Sequence, residues 1–152
     1  MTDIGALEIV TQKRVIRLFT EKLGYEYLGD WQDREDNKNI EEEYLRRYLE
    51  STDRYKSGKY DDEIINKALF ELNRVSGDQS RHLYDVNKDV YTLLRYGVNV
   101  KGEAGENSKT VRLINWKKPE NNHFAIAEEV TVTGNNTKRP DIVLYINGSD
   151  IN

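Results

Sequence analysis

The stretch Arg139-Pro140-Asp141-Ile142-Val143-Leu144-Tyr145-Ile146-Asn147-Gly148 decides the fold of the last third of the chain. A run of β-forming residues follows a Pro-Asp pair and ends in Asn-Gly. That dipeptide is the one that best supplies the two positive φ angles of a tight hairpin turn. The pattern therefore predicts a strand over 139–147, with Asp141 at its start, and a return strand after Gly148.

The residues before this strand change their period and predict two more strands. Apolar and polar residues alternate over 110–116 and over 124–133. The phase of the second run slips at Glu128-Glu129, which favours a β-bulge there. Polar turns over 117–122 and 134–137 separate the three runs. We therefore expect residues 97–152 to form a β-meander of about three strands.

The first 96 residues are predicted to be mainly helical. Apolar residues recur every three or four positions over 5–23, where Gly24 ends the helix, and again in segments near 40–50, 62–72 and 84–95. Asp61 or Asp62 caps the third helix, and a polar loop over 29–39 carries Trp31, which we expect to be exposed. The fold class is α+β, as a single domain spanning 1–152.

Composition limits the classes of protein that this chain can be. It has 152 residues, 37% hydrophobic and 33% charged, and its 15 aromatic residues give it material for a core. The net charge of −4 argues against a uniformly basic nucleic-acid coat. There is no cysteine, no basic-then-apolar leader and no apolar run of about 18 residues. We expect a cytoplasmic protein without a membrane span.

Acidic residues near the ends of two predicted strands suggest metal chemistry. Asp141 alone is most simply a solvated strand-edge aspartate. Glu128 and Glu129 lie on the neighbouring predicted strand, however, and carboxylates that meet at one sheet edge suit Mg²⁺. Such an ion polarises a phosphodiester and lowers the pKa of an attacking water. The sequence thus predicts a metal site built around Asp141, with Glu128 as a second acid.

Basic residues near the predicted sheet turns are candidates for contacts with DNA. Lys138 and Arg139 precede Asp141, and Arg112 lies on the first predicted strand. They are placed to contact phosphates beside a cut site, although lysines at turns are usually only solubilising. His82 and His123 are the only histidines, and neither is expected to bind a metal.

Several stretches resemble the N-terminal nuclease region of the restriction (R, or HsdR) subunit of type I restriction-modification enzymes. The resemblance is specific over 122–126 and 138–148, and looser over 23–31, 79–81, 91–97 and 102–107. It implies a PD-(D/E)xK nuclease with a restriction-endonuclease-like core that cleaves double-stranded DNA with Mg²⁺. It also implies methylation (M) and specificity (S) subunits as partners, and an ATP-driven motor farther along the parent chain.

The resemblance assigns roles to particular residues. Pro140 and Asp141 match the Pro-Asp pair, which makes Asp141 the catalytic, metal-binding acid. The next strand of the family supplies an acid and, two residues on, a lysine, but residues 149–152 contain no such triplet. We therefore expect a truncated, incomplete core that does not cut DNA alone. Family members also place an acid in the first helix, and Glu8 is the candidate here, one turn before Gln12.

Two simpler interpretations remain open at this point. Glu8 is as readily a solvated helix residue as a ligand. The whole chain could also be a non-catalytic assembly or DNA-binding module, whose helical part docks to partner subunits and whose acids are structural.

Overall fold

A computed structural model describes residues 3–31, 40–102, 107–128 and 142–150. These residues form two compact units. Unit 1 comprises Met1–Asn39 and His123–Asn152, and unit 2 comprises Ile40–Asn122. The class is α+β, as the sequence predicts. The single domain over 1–152, mainly helical over 1–96, stays a prediction.

Unit 1 contains a helix and a four-stranded sheet. Its elements are α1 (Asp3–Arg17), a π-helical turn (Leu18–Lys22), β1 (Glu26–Asp30), β4 (Phe124–Glu128), β5 (Ile142–Ile146) and β6 (Ser149–Asp150). The sheet order is β1-β4-β5-β6. β1 runs parallel to β4, whereas β4–β5 and β5–β6 are antiparallel. The predicted three-strand meander is therefore wrong in the partner of β4. β1, which follows the first helix, pairs with β4 in parallel.

Unit 2 contains the remaining helices and a small second sheet. Its elements are α2 (Glu42–Ser51), α3 (Asp53–Lys56), α4 (Asp62–Ser76), α5 (Leu83–Tyr96), β2 (Val98–Val100), β3 (Lys109–Val111) and a 3₁₀ turn (Pro119–Asn121). Asp61 caps α4, since its carboxylate accepts from the Ile64 N–H at 2.8 Å. The predicted apolar stripe of α4 is buried in full: Ile64, Ile65, Ala68, Leu69 and Leu72.

The predicted strand over 110–116 is wrong in length and in partner. Only Lys109–Val111 is extended, and it pairs antiparallel with β2. Beyond the strand, the Asn122 side-chain amide accepts from the Asn115 N–H at 2.8 Å and donates to the Asn115 carbonyl at 2.9 Å, so Asn115 is bonded in a loop and not in a strand ladder. Backbone groups that bond a side chain are not available to extend a strand ladder. Leu113 and Ile114 are nevertheless buried.

The hairpin predicted from Asn-Gly is confirmed. Asn147 and Gly148 have φ angles of +51° and +85°, and β5 pairs with β6 directly on either side of them. The Asn147 side chain is buried and accepts from the His123 N–H at 2.7 Å, while the Asn147 N–H donates to the His123 carbonyl at 2.7 Å. The turn is thus fixed to the start of β4.

Trp31 is buried, which corrects the expectation of an exposed residue. It follows β1 directly and packs in a cluster with Ala125, Ala127, Val143 and Tyr145. Its indole N–H donates to the Leu28 carbonyl at 3.1 Å, and its ring centroid lies 5.9 Å from that of Tyr145. The polar residues beside Trp31 in the sequence predict exposure, but Trp31 is buried because it packs against residues of β4 and β5.

Candidate functional site

Glu128 is a buried carboxylate at the end of β4, with only 3% of the residue exposed. Its Oε1 accepts from the Tyr27 hydroxyl at 2.7 Å and lies 3.4 Å from the Lys13 ammonium. Its Oε2 accepts from the Gln12 side-chain amide at 3.0 Å. A buried charge is costly unless it is paired and hydrogen-bonded, and Glu128 meets both conditions.

Alternation along β4 explains why this side chain points toward α1. Odd-numbered Ala125 and Ala127 pack in the Trp31 cluster, so even-numbered Phe124, Ile126 and Glu128 lie on the opposite face. That face also carries the ring of Tyr25, whose centroid is 5.3 Å from that of Phe124 and 4.9 Å from that of Phe19. The aromatic contacts anchor the end of the first helix on the same face as Glu128.

Consecutive residues of α1 supply two of the three donors. Gln12 is half-buried, whereas the Lys13 side chain is 59% exposed and reaches back to a carboxylate that is 4% exposed. Because the ammonium remains in water, it compensates the buried charge at a low desolvation cost of its own. The pair therefore links α1 to β4.

β1 supplies the third donor through Tyr27. The pKa of Tyr27 is raised to about 12. The largest cause is the loss of solvent around its hydroxyl group, and the hydrogen bond to Glu128 and the charge of Glu128 add to it. The residue as a whole is still 44% exposed. At neutral pH Tyr27 is consequently a neutral phenol that donates to Glu128.

The backbone around Glu128 joins three strands. Glu128 pairs with Asp30 of β1 and with Ile142 of β5, and its carbonyl accepts from the Trp31 N–H at 2.9 Å. Ile142 is the residue that directly follows Asp141 in the sequence. The buried acid of β4 thus lies opposite the first described residue after the Pro-Asp pair.

The other predicted site residues fall in different places. Asp141, Lys138 and Arg139 lie outside the residues that the structure describes. Glu8 is exposed on α1, and it is Gln12, one turn later, that contacts Glu128. Arg112 is exposed in unit 2, directly after β3. The assignments of these residues to metal or DNA stay predictions.

Within the described ranges, no group of three or more His, Cys, Asp or Glu side chains could hold a metal ion. Glu128 offers two oxygens, and each already accepts from a protein donor. The described part of unit 1 therefore holds an acid in place but does not by itself make a Mg²⁺ site. Among the same residues, no helix combines the length and the apolar character needed to cross a bilayer.

Sequence reasoning missed Lys13 and Tyr27 as partners of Glu128. The two residues lie 115 and 101 positions away from it, so no local period connects them. The resemblance does point to Gln12, which stands where family members place an acid, but it gives Gln12 no partner. The one usable signal was the run Tyr25-Glu26-Tyr27, whose alternation indicates a strand with two aromatics on one face.

Comparison with known proteins gives one family and one relative. The model of the family described as type I restriction enzyme R protein N terminus matches residues 6–151. A Methanocaldococcus jannaschii protein named "Putative type I restriction enzyme MjaVIIIP endonuclease subunit" is 36% identical over 94 residues, 62% of this chain. The aligned part covers only 9% of that protein's length. No solved structure matches the chain.

Proposed function

Because the chain belongs to the family of N-terminal regions of type I restriction enzyme R proteins, we propose that it is part of a restriction subunit that cleaves double-stranded DNA with Mg²⁺. One observation carries the proposal. A buried, hydrogen-bonded acid, Glu128, pairs with Ile142, and Ile142 directly follows the Pro-Asp pair that resembles the nuclease motif.

In this proposal Asp141 is the acid that binds the metal. Mg²⁺, when bound, would polarise the phosphodiester and favour attack by water. Glu128, at the end of β4, is proposed as the second acid, and Tyr27, Gln12 and Lys13 hold it in place. Lys138 and Arg139, with Arg112, are proposed to contact phosphates of the substrate.

The parent protein is proposed to work with methylation and specificity subunits and to use ATP in motor domains outside these 152 residues. The small share of the relative that aligns is consistent with further domains in the parent. Residues 142–152 contain no acid followed two positions later by lysine. We therefore expect the 152-residue chain alone not to cut DNA.

The test uses the full restriction subunit, assembled with its partner subunits, ATP, Mg²⁺ and a plasmid that carries the recognition site. Asp141→Asn should lower the cleavage rate by about 10²-fold or more, because a metal ligand contributes several kcal/mol to the transition state. ATP hydrolysis should persist, since it belongs to other domains.

Asp53→Asn, at an exposed position of α3, is the matched control and should cleave normally. Undiminished cleavage by the Asp141→Asn complex would overturn the assignment. In that case the alternative, a non-catalytic assembly or DNA-binding module, would be the better description of the chain.

A further inference from the structure

One face of α5 carries an exposed stripe in which aromatic and basic side chains alternate. Tyr84, Lys88, Tyr91 and Arg95 follow one another at intervals of four, three and four residues. At about 100° per residue they lie within roughly 60° of one another around the helix, over a length of about 16 Å. All four are exposed, Tyr84 by 77% and Tyr91 by 59%.

The opposite face of α5 fixes the direction of this aromatic–basic stripe. Val86 is buried, and Val90, Leu93 and Leu94 pack against the core of unit 2. Because the apolar face determines how an amphipathic helix lies, the stripe must point away from that core. Four large polar-tipped side chains are thereby held on a rigid element.

Trp116 extends the stripe at its C-terminal end. The Arg95 guanidinium lies 5.1 Å from the centroid of the Trp116 ring and 5.7 Å from that of Tyr96. The Trp116 indole N–H donates to the Leu94 carbonyl at 3.0 Å, yet 45% of the residue is exposed. The indole is therefore anchored at its edge while much of its surface remains accessible.

The charges of the stripe are not neutralised by neighbouring acids. Asp89 lies off the stripe and pairs with Arg81. Within the part of the chain that the structure describes, no carboxylate oxygen lies within 4.0 Å of the Lys88 or Arg95 nitrogens. Lys117 and Lys118 follow Trp116 and are also exposed. The surface presents accessible aromatic rings interleaved with free cationic charge.

We propose that this stripe binds single-stranded nucleic acid, with unpaired bases on Tyr84, Tyr91 and Trp116 and phosphates at Lys88 and Arg95. Base stacking on aromatic rings beside a basic track is the general solution for strands bound without sequence preference. A stripe of about 16 Å is long enough to contact a few nucleotides of one strand. Tyrosine, tryptophan and arginine are also common in protein–protein interfaces, whereas lysine is depleted there, so Lys88 is the residue that favours a phosphate backbone over a protein partner.

The inference goes beyond the proposed nuclease function, since the stripe lies in unit 2 and needs no metal. The test measures the binding of a fluorescein-labelled oligothymidylate to the 152-residue chain by fluorescence anisotropy in EDTA. Tyr91→Ala should weaken binding about tenfold, because it removes one stacking platform. Phe70→Ala removes an equally exposed aromatic, 71% accessible on α4, and should change nothing.

Salt dependence separates stacking from charge. The double variant Lys88→Gln/Arg95→Gln should reduce the slope of log K against log salt by about 1.4, at about 0.7 per lost phosphate contact. Tyr91→Ala should leave the slope unchanged. Lys67→Gln, which removes a cation paired with Glu63 at 3.3 Å, is the matched control for charge.

Four results would overturn the proposal. The first is an absence of saturable binding at low salt, and the second is an equal loss for Phe70→Ala and Tyr91→Ala. The third is a blunt duplex bound as tightly as the single strand, with the same loss in Tyr91→Ala. If the chain instead self-associates in sedimentation and Tyr91→Ala abolishes that association, the stripe is a protein contact. Failure in EDTA would leave the metal-dependent nuclease proposal untouched.

Discussion

Glu128 shows how a buried charge can be kept at a strand end. Two neutral donors and one cation, from α1 and β1, surround a carboxylate that is 3% exposed. Removing one partner of a buried hydrogen bond lowers stability by more than the net contribution of the bond, because the remaining partner is left unsatisfied. The stability of unit 1 should therefore depend on residues that sequence patterns alone would treat as surface positions.

We expect Gln12→Ala to lower the free energy of unfolding by about 1–2 kcal/mol, since Oε2 of Glu128 loses its 3.0 Å donor. Glu8→Ala, one turn earlier on the exposed side of α1, should leave stability nearly unchanged. Urea denaturation of both variants measures the difference. Equal losses would show that helix propensity, not the contact with Glu128, sets the effect.

Tyr27 makes stability depend on pH in the alkaline range. Its folded-state pKa is raised to about 12 from an ordinary value of 10.0, so the native state favours the neutral phenol. The contribution is fully present below about pH 10 and is lost as the pH rises toward about 12. We expect the stability difference between the wild type and Tyr27→Phe to be constant at neutral pH and to shrink over that window.

Urea denaturation at a series of pH values between neutrality and strong alkali measures this difference. Tyr84→Phe, at an exposed tyrosine in the other unit, serves as the control for the loss of a hydroxyl group. A difference for Tyr27→Phe that stayed constant through the alkaline range would contradict the role given to the hydroxyl group.

At the scale of elements, the junction of α5 and β2 depends on Gly97. Its φ angle is +89°, and a Cβ built there would lie 2.8 Å from the Val111 carbonyl oxygen. β3 must approach this closely because Val98 pairs with Val111 in the ladder. The chain therefore turns from helix to strand only where the side chain is absent.

Gly97→Ala should cost more than Gly58→Ala, although both glycines have a positive φ, +89° and +81°. A Cβ at Gly58 meets nothing within 4 Å, so its substitution carries backbone strain alone, about 1 kcal/mol. At Gly97 the clash with backbone should add about 1–3 kcal/mol. Thermal unfolding by circular dichroism compares the two variants, and equal losses would remove the close approach as a cause.

At the scale of the whole molecule, the buried apolar residues that the structure describes form two clusters, one in each unit. Unit 2 has the larger apolar cluster, with Leu45, Leu49, Ile65 and Leu72 essentially inaccessible, whereas the Trp31 cluster of unit 1 is small. Each unit contains one tryptophan, buried Trp31 in unit 1 and exposed Trp116 in unit 2. Single-tryptophan variants can therefore follow each unit separately.

Leu69→Ala should destabilise unit 2 by about 2–5 kcal/mol, because Leu69 is 1% exposed in the core and its truncation leaves a cavity. Phe70→Ala, at the adjacent residue with 71% exposure, should fall within about 0.5 kcal/mol of the wild type. Trp116 fluorescence in a Trp31→Phe background reports the unfolding of unit 2. A comparable loss in Phe70→Ala would place that ring in a contact not seen here.

Sequence reasoning succeeded where a local pattern carries the structure. The period of α4 located its cap and every buried residue, and Asn147-Gly148 located the hairpin, because turn and helix geometry are set by neighbours in the chain. It failed for the length and partner of β3, which pairs with β2, and for the burial of Trp31, which packs against residues of β4 and β5. Polar composition predicted exposure for Trp31, but tertiary packing overrode it.

The sequence by itself determined the class, the four longer helices, the hairpin after β5 and the resemblance to a restriction subunit. Only the tertiary structure decided that β1 joins β4 in parallel and that Gln12, Lys13 and Tyr27 meet at Glu128. The physical reason is separation along the chain. Helix caps and turns are fixed by residues a few positions apart, whereas the donors of Glu128 are 101–116 positions away and meet it only when the sheet forms.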